Sequence, residues 1–361
     1  MNGTRPVLIM AGGTGGHVFP ALAVAEWLRE RGVSVIWMGT RHGLEATLVP
    51  KAGIPIEWIG VAGLRGKGVR RLLALPFMLG RALWQAGAIL RRLRPLVVLG
   101  MGGFASGPGG LAARVLGIPL VVHEQNAVAG LTNRWLARLA SQVLEAVPGT
   151  FPPARHAVSV GNPVRESIAA LPAPAERFAK RAGPPRLLVL GGSQGALALN
   201  RRVPEALARL DEGERPEVWH QAGGQLHETA VAAYREAEVT ARLTPFIGDM
   251  AAAYGWADLV LCRAGALTVA ELAATGVGAV LVPFPFAVDD HQTANARFLE
   301  QGGAARVVQQ AELSAENLAL LLRDLLGDRQ RLLAMAEAAR RLAKTGAAEQ
   351  VARACLERAR S

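Results

Sequence analysis

A chain of 361 residues is too long for one small core and accommodates two domains of ordinary size. Its 51% hydrophobic residues exclude a disordered class, two cysteines exclude a disulfide framework, and no apolar stretch reaches the ~18 residues of a membrane span. The net charge of +11 is confined to one half, because residues 1–163 hold 17 Lys and Arg against 6 Asp and Glu while the remainder holds 23 of each. The first ten residues do not read as a secretory signal, so a cytoplasmic location is expected.

In chain order, residues 7–11 form an apolar run ending at Gly12-Gly13-Thr14-Gly15-Gly16-His17. Residues 20–31 carry a helical pattern closed by Gly32, and 33–38 form a second apolar run, which together predict a βαβ unit. Short apolar runs follow at 56–59, 96–99 and 120–122, with Pro95 and Pro119 at strand starts. Runs of this kind, apolar on both faces, predict parallel strands. The run at 96–99 leads into a second glycine turn, Gly100-Met101-Gly102-Gly103-Phe104-Ala105-Ser106-Gly107. Four prolines between 147 and 163 mark a domain junction. Beyond it a strand at 186–190 enters a third turn, Gly191-Gly192-Ser193-Gln194-Gly195-Ala196, followed by a helix at 196–210. Further strands are predicted at 218–221, 259–261 and 279–283. Residues 314–360 read as helical with Ser314 as an N-cap and a break near Thr345-Gly346. The prediction is therefore an α/β chain of two domains, 1–163 and 164–341, with a last helix at about 342–361 returning to the first.

Each glycine turn follows an apolar run and opens a helical pattern. Glycine supplies positive φ and close backbone approach, and the helix start then presents N–H groups to an anion. Two nucleotide-binding-type units with a cleft between them are the expected frame. A dinucleotide oxidoreductase is disfavoured, because the first turn is not G-x-G-x-x-G and the position that would hold a ribose hydroxyl reads Gly39-Thr40-Arg41. Arg41 leaves NADP open on these features alone.

From Trp58 through His123 there is no acidic residue, whereas nine Lys and Arg fall inside. A one-sided field of this kind needs an anionic partner. The same stretch holds Leu72, Leu75, Phe77, Leu79 and Trp84, an apolar patch flanked by arginine that suits an anionic membrane surface. A core helix beside a solvated basic face is the alternative. Nucleic acid is the weaker partner, since aromatics are only 5% and do not interleave with the basic residues.

Polar clusters at predicted strand ends carry the chemistry. His17 ends a glycine turn, where an imidazole suits general-base work on a hydroxyl or caps the following helix. His123-Glu124-Gln125-Asn126 directly follows a strand. The stretch Cys262-Arg263-Ala264-Gly265-Ala266-Leu267-Thr268-Val269-Ala270-Glu271 places backbone N–H groups and then a carboxylate along a helix start, a spacing suited to a diphosphate and a ribose diol. Asp289-Asp290-His291-Gln292 could read sugar hydroxyls, and no Asp pair separated by one residue nearby argues for a metal.

With Ala129 to Asn133 and Gly161-Asn162-Pro163-Val164-Arg165, these motifs resemble the MurG family of glycosyltransferases from about residue 7 to residue 302. The resemblance implies two Rossmann-like domains of the GT-B type, inverting chemistry without metal or other cofactor, and peripheral attachment to the cytoplasmic face of the plasma membrane. It implies UDP-N-acetylglucosamine as donor and undecaprenyl-diphosphate-linked muramoyl-pentapeptide as acceptor. Donor contacts carried over are Ser193 and the helix start Ala266, Leu267 and Thr268 for the diphosphate, Glu271 for the ribose, Ile247 and Arg263 for the uracil, and Gln292 for the sugar. Arg165, Asn126, Thr14, Gly15 and Gly16 complete them. Gly13, Gly102, Gly103 and Ser106 would meet the acceptor diphosphate. His17 is the first candidate base and Glu124 the second. A UDP-N-acetylglucosamine 2-epimerase and a non-catalytic lipid-diphosphate module are the alternatives. Where many relatives carry Tyr, this chain has Phe104, so no hydroxyl is required there.

Overall fold

A computed structural model describes residues 5–61, 75–192 and 195–360. The chain divides into two compact units, Met1–Arg165 with Lys344–Ser361 and Glu166–Ala343.

In the first unit, β1 (Val7–Met10), β2 (Val35–Gly39), β3 (Ile56–Trp58), β4 (Val97–Gly100), β5 (Leu120–Glu124), β6 (Gln142–Glu145) and β7 (Val158–Ser159) make one sheet in the order β3-β2-β1-β4-β5-β6-β7. Every pairing is parallel. The two faces of β1 divide the core by alternation, as strand geometry requires. Val7 and Ile9 pack with Val24, Leu28, Val351 and Cys355, whereas Leu8 and Met10 pack with Ala86, Leu90 and Leu120. The helix Ala347–Arg358 thereby belongs to this unit's core, although the chain reaches it only after building the other unit.

The second unit repeats the plan. Its strands are β8 (Arg186–Leu190), β9 (Glu217–Gln221), β10 (Arg242–Thr244), β11 (Leu259–Cys262), β12 (Gly278–Leu281) and β13 (Ala305–Val307), in the parallel order β10-β9-β8-β11-β12-β13. Leu187, Val189, Leu259 and Leu261 face Leu199, Val203 and Leu322 in its core.

Both sheets reverse strand order between their first and fourth strands, β1/β4 and β8/β11. Open α/β sheets bind ligands at such switch points, outside the carboxyl ends of the strands. The glycine turns after β1, β4 and β8, and the Arg263–Gly265 segment after β11, all sit there. That placement explains why the glycine-rich segments recur.

Several boundaries differ from those predicted. The first helix runs Gly15–Glu30 and begins inside the glycine turn, with Pro20 in its interior. Pro20 lies six residues beyond the extended N-cap Thr14, so it does not define the start. Strand β5 continues through His123 and Glu124, which pair with Leu144 and Glu145, so these two polar residues close a strand and do not follow one. At the other end of the chain, Ser314 caps the helix Ala315–Leu326 by accepting the N–H of Asn317, and Gly346 breaks the helical run with φ of 73°.

Candidate functional site

In the first unit the turns after β1 and β4 pack backbone against backbone. Gly102 and Gly103 have φ of 95° and 86°, and a Cβ on Gly103 would lie 2.4 Å from the Gly12 carbonyl oxygen. Only glycine fits such a contact in that conformation. Beneath the first turn lies Glu45, fully buried, whose carboxylate accepts the N–H of Gly13 at 2.9 Å and both the N–H and the hydroxyl of Thr40 at 3.1 and 2.7 Å. The Gly13 amide is thus engaged by Glu45. Ser106 is engaged in the same way. Its hydroxyl is buried, 3.0 Å from the Met10 carbonyl and 2.8 Å from that of Gly102, so it ties the two turns together. The amides of Gly15 and Gly16, at the start of a 16-residue helix, have no helical carbonyl behind them and carry the positive end of its dipole. Thr14 is exposed, and its hydroxyl makes no cap bond.

His17 stands on the first turn of that helix, with its ring against the backbone of Gly102. Its Nδ1 lies 2.7 Å from Oε1 of Gln125, at the end of β5. Glu124 is 1% exposed and already saturated. One oxygen accepts the N–H groups of Gln125 and Asn126 and the Asn126 amide, and the other accepts the Gly130 N–H and the Asn133 amide. With five donors on it, Glu124 organises the loop that follows β5. Arg165, at the end of this unit, sets its guanidinium 5.5 Å from the Phe19 ring.

In the second unit a cavity of about 900 Å³ opens over the carboxyl ends of β8 and β11, lined by Gly192, Gly195, Arg263, Gly265, Thr268 and Gln292 among others. Gly265 is the extended N-cap of the helix Ala266–Thr275, which aims its first amides at this space. One turn into that helix Glu271 is 4% exposed and accepts the Tyr254 hydroxyl at 3.1 Å. Arg263 donates to the carbonyls of Val282 and Pro283 and to Oε1 of Gln310, which fixes it along the wall. Gln292 accepts the Phe284 N–H at 2.9 Å and so presents its amide nitrogen. Ile247 gives its own N–H to Oε1 of Gln221 at 3.0 Å. Ser193 lies outside the described residues. Among the described residues no group of three or more His, Cys, Asp or Glu could hold a metal ion.

Glu45, Gln221 and Tyr254 escaped the reading of the sequence. Each is polar in an ordinary local pattern, and only its burial against a distant backbone or side chain marks it.

Residues 7–145 match the N-terminal domain of glycosyltransferase family 28 and residues 186–351 its C-terminal domain. A protein of Nitrosococcus oceani named UDP-N-acetylglucosamine--N-acetylmuramyl-(pentapeptide) pyrophosphoryl-undecaprenol N-acetylglucosamine transferase is 62% identical over 97% of this chain and 98% of its own. One of the same name from Alkalilimnicola ehrlichii is 62% identical over 99% of this chain and 100% of its own. The crystal structure of Acinetobacter baumannii MurG superposes with a TM-score of 0.86 at 46% identity, covering 98% of this chain and 100% of that one. The chain belongs to the MurG family. Its two parallel-sheet units are thus the paired α/β domains of a GT-B glycosyltransferase. The three glycine turns, the His17–Gln125 contact and the cavity over β8 and β11 all fall within the segments matched to family 28.

Proposed function

We infer that this chain transfers N-acetylglucosamine from UDP-N-acetylglucosamine to the 4-hydroxyl of the undecaprenyl-diphosphate-linked N-acetylmuramoyl-pentapeptide, a hexosyl transfer of peptidoglycan synthesis. The observation that carries it is identity of 62% along almost the whole length of proteins bearing that name. In the reaction the acceptor oxygen attacks the anomeric carbon, the bond from that carbon to the diphosphate oxygen breaks, and UDP departs with inversion. We assign the donor to the cavity over β8 and β11, with its diphosphate at the helix start Ala266–Thr268 and its ribose on Glu271. The departing UDP is stabilised there by oriented amides, which act most strongly in a water-poor site. We assign the amides of Gly15 and Gly16, carried over from the resemblance as donor contacts, to the acceptor diphosphate instead, because Glu45 occupies that of Gly13. His17 serves as the base, and Glu124, with its five donors, as the residue that shapes the loop.

Given UDP-N-acetylglucosamine and a lipid-linked muramoyl-pentapeptide, the purified protein releases UDP without added metal. UDP released with no acceptor present would identify an epimerase instead, and binding of the acceptor with no UDP released would identify a non-catalytic module.

The membrane face is proposed on the helix Leu75–Leu93. Phe77 and Trp84, 79% and 71% exposed, lie two turns apart on one stripe, opposite the buried Ala82, Ala86 and Leu90. Arg81 and Arg91 on the same helix are exposed, a pattern suited to the anionic cytoplasmic face of the plasma membrane. Leu79 is exposed too, and Leu72 lies outside the described residues. No described helix is long and apolar enough to cross a membrane. Vesicles containing anionic lipid retain the protein at low salt and release it at high salt. Serine at Phe77, Leu79 and Trp84 together abolishes retention, whereas undiminished retention would rule this helix out as the anchor.

A further inference from the structure

A chain of side chains leads from His17 into the core and ends on a carbonyl. His123 is fully buried, with Nε2 2.9 Å from the carbonyl oxygen of Gly161 and Nδ1 3.0 Å from Nε2 of Gln125. Gln125, 1% exposed, places the same Nε2 3.0 Å from the His123 carbonyl and its Oε1 2.7 Å from Nδ1 of His17. Burial lowers the His123 pKa to about 4, outweighing the opposite pull of the Gly161 carbonyl and of Glu124, so near neutral pH this ring carries one proton.

Each link then dictates the next. A carbonyl can only accept, so the single proton of His123 sits on Nε2, facing Gly161. Its Nδ1 is left with a lone pair, which calls for a donor. The Gln125 amide nitrogen supplies one, and its second hydrogen meets the His123 carbonyl. A flipped amide would set its oxygen against that carbonyl and that lone pair, two repulsions in a buried site, so the network itself fixes the orientation. The Oε1 end must then face His17, and it too can only accept. His17 is thereby protonated on Nδ1, with the lone pair on Nε2.

We propose that His123 and Gln125 are positioning residues that hold His17 in the one neutral tautomer whose Nε2 can take a proton. The proposal rests on the reading of His17 as the base. Gln125 is neutral and sets the tautomer and the ring direction without placing a charge beside the imidazolium that forms. When that imidazolium appears, its Nδ1–H keeps the same bond to Oε1, so the network needs no rearrangement during the transfer. Anchorage at the far end is rigid. Gly161 has φ of 84°, and a Cβ on it would lie 2.5 Å from Cβ of Lys344.

The test is the nitrogen-15 spectrum of the histidine side chains in the intact protein, with His17 assigned by its absence in His17→Ala. The expected spectrum at pH 8 has a protonated Nδ1 and an unprotonated Nε2 on His17. Gln125→Leu removes the acceptor, so the His17 signals shift toward the Nε2–H tautomer. The same change lowers kcat roughly tenfold or more with KM for UDP-N-acetylglucosamine near native; in serine proteases a wrong tautomer costs up to about 10⁴. Gln125→Glu restores an acceptor and recovers part of the lost rate, with the acid limb of the pH profile moved upward by the added negative charge. An Nε2–H signal for His17 in the unaltered protein, or an unchanged kcat in Gln125→Leu, overturns the proposal. If instead His17→Ala keeps its kcat while the unaltered protein gives the expected spectrum, the base reading fails and the tautomer assignment stands.

Discussion

His17→Ala lowers kcat by roughly 10²- to 10⁴-fold, the range that a positioned general base supplies. The expectation rests on what surrounds the ring. One nitrogen is engaged with Gln125 at 2.7 Å, and the ring lies so close to Gly102 that a Cβ there would come within 2.9 Å of it. The imidazole therefore has one position and one nitrogen to offer. It stands where the helix Gly15–Glu30 begins, so the proton acceptor and the amides suited to a diphosphate share one rigid element. Steady-state kinetics in both substrates give the measurement. A loss confined to KM would make His17 a binding residue, because an interaction made equally in the ground and transition states leaves kcat alone.

Acidification destabilises both units well before the carboxylates titrate. His123 in the first unit and His220 in the second are each fully buried, and burial pushes their pKa values down to about 4 and about 3. An unfolded chain protonates its histidines near 6.5, so as the pH falls below that value the unfolded state binds protons that the folded state refuses. The contribution is complete above pH 6.5 and disappears progressively as the pH falls toward the folded-state values. At about 1.4 kcal/mol per pK unit, each ring takes away roughly 2 to 3 kcal/mol by pH 4.5. Urea unfolding at pH 7.5 and pH 4.5 reads the difference. His220, held by its Nδ1 at 3.0 Å from the Tyr234 hydroxyl, serves as the control position. His220→Phe loses less stability on acidification than the unaltered protein does, whatever its stability at pH 7.5. An equal loss in the two proteins would show that His220 is not held neutral by burial.

Much of the fold was legible because its signals are local. Central strands buried on both faces must be continuous apolar runs, and those at 96–99, 186–190 and 218–221 lie within a residue of β4, β8 and β9. Three of the shorter strands left no such trace. Strands β7, β10 and β13 have two or three residues with polar members, and their pairing with a neighbour creates them. For the site, the polar run at 123–126 was visible as a cluster, but the division of labour inside it was not. Glu124 turned out to be saturated by backbone and amide donors, and Gln125 to be the residue that reaches His17.

By itself the sequence determined where the backbone turns and what kind of surface each segment offers. Gly13, Gly102, Gly103, Gly192 and Gly195 all adopt positive φ, a conformation that side-chain sterics reserve for glycine, so those turns are written into residue identity. Only the tertiary structure decided which polar atoms remain for a ligand. Glu45 takes the Gly13 amide across 32 residues, Ser106 spends its hydroxyl on Met10 across 96, and Gln125 engages His17 across 108. A hydrogen-bonding group is available only if no buried partner claims it, and that depends on which strands the sheet brings side by side, a property that no local stretch of residues carries.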